Sequence, residues 1–512
     1  MRLSSFLSGQ WVHGADPQSQ LHDAVSGEVI AETSTRGLDL GAAMAHARDV
    51  GGPALRAMTF AERADLLEAM SRSIHGLRDE LIALSTQNYG ATRSDGKFDV
   101  DGASGTLAYY ASVGRKLGDT RILMDGEPER IGRSARFVGQ HICVPRRGVA
   151  VHINAFNFPA WGMCEKLAVC LLAGMPAVVK PATATALVTW RVVRAWHEAG
   201  IVPDGVVSLL TGSAGDLLDH VASQDVVTFT GSHDTALKIR QHPQVVAANV
   251  PVNVEADSLN VAILGPDVEP GEPTFEMFLA DVVRDVTQKA GQKCTAIRRV
   301  FVPADQLEEV QEGLEELIGD APMGLPTARG VRVGPVATAA QHRDVLAGVE
   351  TLASHFETLV EGVGDQPETG FYVRPRIFVT DLGAEAPMVH EHEVFGPVAT
   401  VLTWDGDAKR VGELAALGGG GLVCSVYSDD AAWAGEAIAE LAPFHGRIHW
   451  GSARVAGQSP GPGTVLPNLV HGGPGKAGAG EELGGLRGLG FYQQRTAVQA
   501  DAGLLERALR GS

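Results

Sequence analysis

The stretch "GVAVHINAFNFPAWGMCEKLAVCLLAGMPAVVKPATATALVTWRVVRAWHEAG", residues 148–200, decides the fold. Two short apolar runs, "GVAVHINAF" (148–156) and "PAVVKPA" (176–182), alternate with two segments of helical length, "AWGMCEKLAVCLLAGM" and "ALVTWRVVRAWHEAG". The alternation continues through "VVSLLTG" (206–212), "DVVTFTG" (225–231) and "NVAILG" (260–265). Strands joined through helices build a parallel sheet with crossover helices on its faces, so the sequence predicts the α/β class.

Working outward, residues 36–118 read as helical, with apolar positions at helical spacing in stretches such as "FAERADLLEAMSRSIHGLRDELIALS". Residues 128–147 read as an extended excursion before the first sheet resumes. Near 255 a second alternation begins: a helix at 275–293, a strand "AIRRVFVP", a helix "DQLEEVQEGLEELIG", and on to "CSVYSDD" and "GRIHWG". This predicts a second α/β domain. From 457 the chain is dense in Gly and Pro and then alternates in "FYQQRTAVQAD", a pattern suited to an added strand.

A chain of 512 residues is too long for one ordinary core, and two or three domains are expected. The formal charge of −19 opposes sequence-independent binding of nucleic acid, which needs a basic face to displace counterions. Five scattered cysteines without a CxxC pair fit reduced thiols in the cytoplasm better than a disulfide framework or a zinc site. "MRLSSFLSGQWVHG" lacks the apolar core of a signal peptide, and no apolar run is long enough to span a bilayer.

Several candidates for chemistry stand out. "GPGKAG" (473–478) has the spacing of a dinucleotide fingerprint, but it follows no expected strand and contains Pro474. "HEHE" (390–393) has no companion ligand cluster and reads as a solvated loop, so no metal is expected. Cys294 in "KAGQKCTAIRR" is either an inert core thiol or a nucleophile, and a nucleophile needs a base and an oxyanion donor. Glu255 in "VPVNVEADSLN" is a candidate base or a strand cap. Asn157 in "INAFNFPAW" is a candidate donor, because its amide does not titrate, or a loop residue serving its own turn.

Taken together and in order, "FNFPAWG", "VVKPAT", "VTFTGS", "GQKC", "EVFGPV" and "HGGPGKAGAGEELGG" resemble the aldehyde dehydrogenase superfamily over essentially the whole chain. The resemblance implies a Rossmann-like parallel-sheet cofactor domain (1–127 and 148–256), an α/β catalytic domain (257–476) and a small β oligomerisation arm (128–147 and 477–512). It implies Cys294 as nucleophile, Asn157 as oxyanion-hole amide and Glu255 as the base that activates the deacylating water. Lys166 and Glu482 match a lysine and a glutamate that form a proton path in some members. Lys180, Thr183, Phe229, Gly231 and Ser232 match cofactor contacts, and Glu393 and Phe395 match the pair that holds the nicotinamide ribose.

Two departures narrow the resemblance. The base is followed by "EADSLN" where most members have a glycine pair, and Glu481 stands where many have arginine. Both features, and the 39-residue interval from Glu255 to Cys294, resemble the branch acting on coenzyme A-linked semialdehydes of aerobic aromatic degradation. A chain ending at 512 leaves no room for a fused hydratase, which favours the stand-alone type acting on 3,4-dehydroadipyl-CoA semialdehyde. The alternatives are an unfused phenylacetate-pathway type, acyl release to free coenzyme A, and an inactive structural relative. Thr183 occupies the place of an acid that binds ribose hydroxyls in NAD-preferring members, so NADP is expected, with NAD as the alternative. The arm implies a homo-oligomer, a dimer for preference, in the cytoplasm.

Overall fold

The computed structural model describes residues 1–364 and 366–510. Its first sheet has seven strands in the order Val252–Glu255, Val226–Thr230, Ala150–Ile153, Ala177–Lys180, Val207–Leu209, Ser5–Leu7, Gln10–Val12. The first five run parallel, and the N-terminal hairpin adds two antiparallel strands at one edge. Helices Trp161–Ala173 and Ala186–Glu198 provide the crossovers expected from the opening stretch.

The parallel part of this sheet starts at Ala150–Ile153, builds outward to Val207–Leu209, and then returns to the other side of its starting strand. Such a reversal of direction leaves a crevice at the carboxyl ends of the strands, where doubly wound sheets bind ligands. Lys180 and Glu255 end strands at that edge, and Gly231 follows another.

The second sheet also has seven strands: Glu357–Glu361, Arg376–Thr380, Val398–Trp404, Ile297–Pro303, Asn260–Leu264, Gly421–Tyr427, His445–Gly451. All its pairings are parallel except the first. Strand Ile297–Pro303 is buried at every position, as a central parallel strand covered on both faces should be. The excursion around 128–147 is a pair of strands, Leu123–Arg130 and Phe137–Pro145, and Gln493–Asp501 joins them in an antiparallel sheet of three. Residues 511 and 512 of the expected arm lie outside the described residues. No described helix is long and apolar enough to cross a membrane.

The helix expected over 275–293 ends earlier. It spans Pro273–Thr287 and gives way to a tight turn in which Lys289 (φ 55°) and Ala290 (φ 50°) are left-handed. Such backbone is costly for residues with a Cβ and persists only when surroundings fix it. Here the N–H of Lys289 donates to Asp95 Oδ1 at 3.1 Å. Its ammonium lies over the rings of Tyr89 and Phe158, 4.8 and 4.4 Å from their centroids. Tertiary contacts override helix propensity, and the turn delivers Cys294 four residues later.

Helix Arg93–Leu117 carries both the acids that hold this region. Asp99, fully buried, accepts the N–H groups of Ala160 (3.3 Å) and Trp161 (2.8 Å) and the hydroxyl of Tyr89 (3.0 Å). It thereby fixes the start of helix Trp161–Ala173 just after Asn157. Asp99→Ala leaves three donors unpaired in the core and is expected to lower stability by about 2–4 kcal/mol. Denaturant unfolding checks this; a loss below about 0.5 kcal/mol, the level of an ordinary surface change, would contradict it.

Candidate active site

Cys294 sits between the left-handed turn and strand Ile297–Pro303. Its backbone is held from both sides. Asn260 Nδ2 donates to the carbonyls of Cys294 and Ala296, both at 2.8 Å, and Thr295 Oγ1 donates to Gly463 O at 2.9 Å. Cys294 is half-buried, whereas Cys143, Cys164, Cys170 and Cys424 are buried. Lys293 turns away from the thiol: its Nζ is 2.5 Å from Asp285 Oδ1, a fully buried pair. The cation adjacent in sequence therefore serves the core.

The acid comes from the other sheet. Glu255 closes strand Val252–Glu255 and is buried. Beside both it and the thiol stands a residue that sequence reasoning did not single out, His471 of the strand Val470–Gly473. His471 Nε2 lies 3.2 Å from Glu255 Oε2 and 3.8 Å from Cys294 Sγ.

Electrostatics divide the three groups. Burial alone pushes the Glu255 carboxyl up, but the His471 imidazolium, with a smaller pull from Lys166, holds it well below the usual carboxylate range. Burial likewise disfavours the imidazolium, and Glu255 outweighs it, so His471 is held above its ordinary value. The Cys294 thiol is pushed well above the ordinary range, first by burial and then by the Glu255 carboxylate. These directions favour a neutral thiol beside an imidazolium–carboxylate pair.

Asn157 reaches the same turn. Its Nδ2 donates one hydrogen to Gln292 O at 3.1 Å, which orients the amide and leaves the second hydrogen without a partner among the described residues. Lys166 and Glu482 form a buried ion pair at 3.0 Å, and Lys166 Nζ also donates to Thr230 Oγ1 at 2.7 Å. Burial works against the Lys166 ammonium, but Glu482, Glu255 and Glu165 together keep it above its usual value. Glu165, beside it in sequence, is pushed up to about 8 by burial, so this carboxyl is protonated near neutrality.

The remaining predicted residues line the crevice edge of the first sheet or the loop facing it. The Lys180 ammonium is lowered by burial and has no acidic partner among the described residues. A part-buried cation without a counter-ion suits a polar or anionic ligand. The Thr183 hydroxyl donates to Gly212 O at 2.9 Å. Ser232 stands at the N-cap position of helix His233–Arg240, with its hydroxyl 3.0 Å from Thr235 Oγ1. At Gly231 a Cβ would come within 2.5 Å of the buried Phe229 ring.

Glu393 is pushed up to about 7 by burial, against the pull of Arg298. Its Oε2 accepts the N–H of Ser258 at 3.0 Å, while buried Oε1 has no hydrogen bond among the described residues and only Arg298 Nε nearby, at 3.5 Å. Phe395 lies under the Arg298 guanidinium and against Phe156. An orphaned carboxylate oxygen and an unpaired lysine fit a dinucleotide with hydroxyls and phosphates to place.

Two expectations from sequence need correction. "HEHE" is not a solvated loop throughout: His390 is buried, accepts from Arg299 at 3.0 Å and contacts Gly383 O at 3.0 Å. The buried Arg299 guanidinium claims it. "GPGKAG" does follow a strand, Val470–Gly473, but that strand pairs antiparallel with Gly480–Leu483, so the segment is a hairpin connection with no crossover helix.

A family model for the aldehyde dehydrogenase family matches residues 11–498. The chain is 44% identical over 480 residues to 3,4-dehydroadipyl-CoA semialdehyde dehydrogenase of Aromatoleum evansii, covering 93% of each. A structure of 3,6-anhydro-L-galactose dehydrogenase in complex with NAP aligns with a TM-score of 0.85 at 22% identity, over 98% of this chain and all of that one. Betaine aldehyde dehydrogenase of Staphylococcus aureus, in complex with NAD⁺, aligns at 0.84 and 22% identity, covering 98% and 95% of the two chains.

Burial and the thiol's electrostatics make a direct chemical prediction. Iodoacetamide is expected to modify Cys294 alone in the native protein, with a rate still climbing past the ordinary thiol midpoint of about 8.5. Peptide mass spectrometry across pH checks both. A rate that levels off below about pH 8 would contradict the raised thiol.

Proposed function

The chain belongs to the aldehyde dehydrogenase family, and from that premise we propose that it oxidises a coenzyme A-linked semialdehyde, 3,4-dehydroadipyl-CoA semialdehyde, to the acid, with NADP⁺ as the preferred acceptor. The observation that carries the chemistry is the convergence of Cys294, His471 and Glu255, with Asn157 bound to the same turn. The similarity to the Aromatoleum evansii enzyme over nearly the full length of both chains supports the substrate. Residues 1–127 and 148–256 form the cofactor domain in this reading, 257–476 the catalytic domain, and 128–147 with 477–512 a self-association arm that makes a dimer. Five unpaired cysteines suit the cytoplasm.

The resting pair of His471 imidazolium and Glu255 carboxylate gives the thiol proton a destination. Passing it to Glu255 leaves a thiolate facing a cation, and the thiolate attacks the aldehyde carbon. The free N–H of Asn157 and the backbone N–H of Cys294 receive the developing oxyanion. Lys180, Thr183, Phe229, Gly231, Ser232, Glu393 and Phe395 would hold the dinucleotide, which when bound accepts the hydride. A thioester on Cys294 results.

Glu255 must then be a carboxylate again before it can take a proton from water. The oxidation releases one net proton, and the Lys166–Glu482 pair gives it a buried polar route away from Glu255. Water activated by Glu255 cleaves the thioester, and the thiolate of Cys294 is regenerated. NADP⁺ preference rests on the absence of a carboxylate at 183. Because the Thr183 proton is spent on Gly212, Lys180 rather than the Thr183 hydroxyl would supply positive charge to a 2′-phosphate.

Steady-state kinetics test the reading. The coenzyme A-linked semialdehyde should exceed free aliphatic aldehydes in kcat/KM by about 10²-fold or more, and NADP⁺ should exceed NAD⁺. Glu255→Gln should release about one equivalent of reduced cofactor per chain and then turn over about 10²–10⁴-fold more slowly, with acyl-Cys294 seen by mass spectrometry. Equal use of free aldehydes would overturn the substrate; a Glu255→Gln enzyme without a burst would overturn the role of Glu255.

A further inference from the structure

Sequence reading found no metal-ligand cluster, yet folding creates one. Sγ of Cys294, Nε2 of His471 and a carboxylate oxygen of Glu255 all lie within 4.8 Å of one another. They arrive from three separate segments: the turn before strand Ile297–Pro303, the strand Val470–Gly473 and the end of strand Val252–Glu255.

Two of the three separations match a tetrahedral zinc site. With bonds of about 2.0–2.1 Å to nitrogen and oxygen and about 2.3 Å to sulfur, tetrahedral angles put ligand nitrogen and oxygen about 3.3 Å apart and nitrogen and sulfur about 3.6 Å apart. The observed separations are 3.2 Å for His471 to Glu255 and 3.8 Å for His471 to Cys294. The third, Cys294 to Glu255, lies within 4.8 Å, and side-chain rotation would have to bring it to about 3.6 Å. The donor set selects the ion: thiolate with imidazole and one carboxylate suits Zn²⁺ and is poor for Mg²⁺ or Ca²⁺, which take oxygen ligands.

We propose that Zn²⁺ binds between Cys294, His471 and Glu255 and switches the protein off reversibly. Binding forms one Zn–S, one Zn–N and one Zn–O bond, and the thiol proton passes to solvent. His471 gives up its extra proton as well. The thiolate and carboxylate together neutralise the ion, so the half-buried site carries no net charge. Lys166 and Arg447 lie close enough to act on these groups and moderate the affinity. The fourth position is left to water. Zinc and aldehyde compete for one sulfur, and no step of the oxidation uses the metal.

Binding rests on geometry alone; only the loss of activity rests on the proposed role of Cys294. Cobalt(II) is the direct probe, because a Co–thiolate bond gives a near-ultraviolet charge-transfer band. The full-length protein should show that band at one equivalent of Co²⁺, and one equivalent of Zn²⁺ should abolish it. Zn²⁺ should also protect Cys294 from iodoacetamide and inhibit aldehyde oxidation, with both effects reversed by a chelator. Cys294→Ser should lose the band, and His471→Phe should bind at least about tenfold more weakly. His471→Cys supplies a replacement ligand and should retain tight binding, which separates loss of a ligand from misfolding. No thiolate band in the native protein, or a band of unchanged affinity in His471→Phe, would overturn the site. A band with no inhibition would overturn the role of Cys294 and leave the site standing.

Discussion

A carboxylate buried at the end of a β-strand is costly unless something nearby carries the opposite charge. Glu255 meets that requirement through His471, whose Nε2 is 3.2 Å away. The rest of the site follows from this pair. An ionised Glu255 can receive a proton, first from the thiol and later from water. An imidazolium held 3.8 Å from Cys294 Sγ offers the thiolate a counter-charge that Lys293, committed to Asp285, does not. Without His471, the largest pull against burial is lost and only the weaker ones, from Lys166 and the Cys294 thiol, remain to keep Glu255 ionised.

The pair depends in turn on how the two parallel sheets and the hairpin meet. The first sheet supplies Glu255 and, in the loop after one of its central strands, Asn157. The second supplies the central strand Ile297–Pro303, which begins just beyond Cys294. The hairpin Val470–Gly473 with Gly480–Leu483 contributes His471 on one strand and Glu482, paired to Lys166, on the other. His471 and Glu482 face each other in its register, so one short element serves both the reacting groups and the buried route behind them. The left-handed turn at Lys289 and Ala290, fixed by Asp95 and two aromatic rings, sets where the thiol sits.

Much of this was legible in the sequence, and the reasons differ by element. Alternating strand and helix from 148 onward announced parallel sheets, because each buried strand is a compact apolar run with its crossover beside it. Cys294, Glu255 and Asn157 were each ambiguous alone and gained meaning from their order along the chain. His471 lay in plain view within "HGGPGKAGAGEELGG", but nothing in its neighbours distinguishes it from a loop histidine. Its importance arises only when a hairpin folds back onto a distant strand end. The same limit hid His390, which a guanidinium ninety-one residues away draws into the core. Helix propensity ran past Thr287 because the contacts that break the helix come from Asp95, Tyr89 and Phe158, all remote in sequence.

The most direct test of the central claim is the protonation state of His471 itself. Nitrogen-15 NMR of histidine-labelled protein, differenced against His471→Phe, isolates that ring. An imidazolium signature at pH 7, with a midpoint above the ordinary value of about 6.5, is the predicted result. A neutral ring at pH 6 would contradict the imidazolium–carboxylate pair on which the site is built.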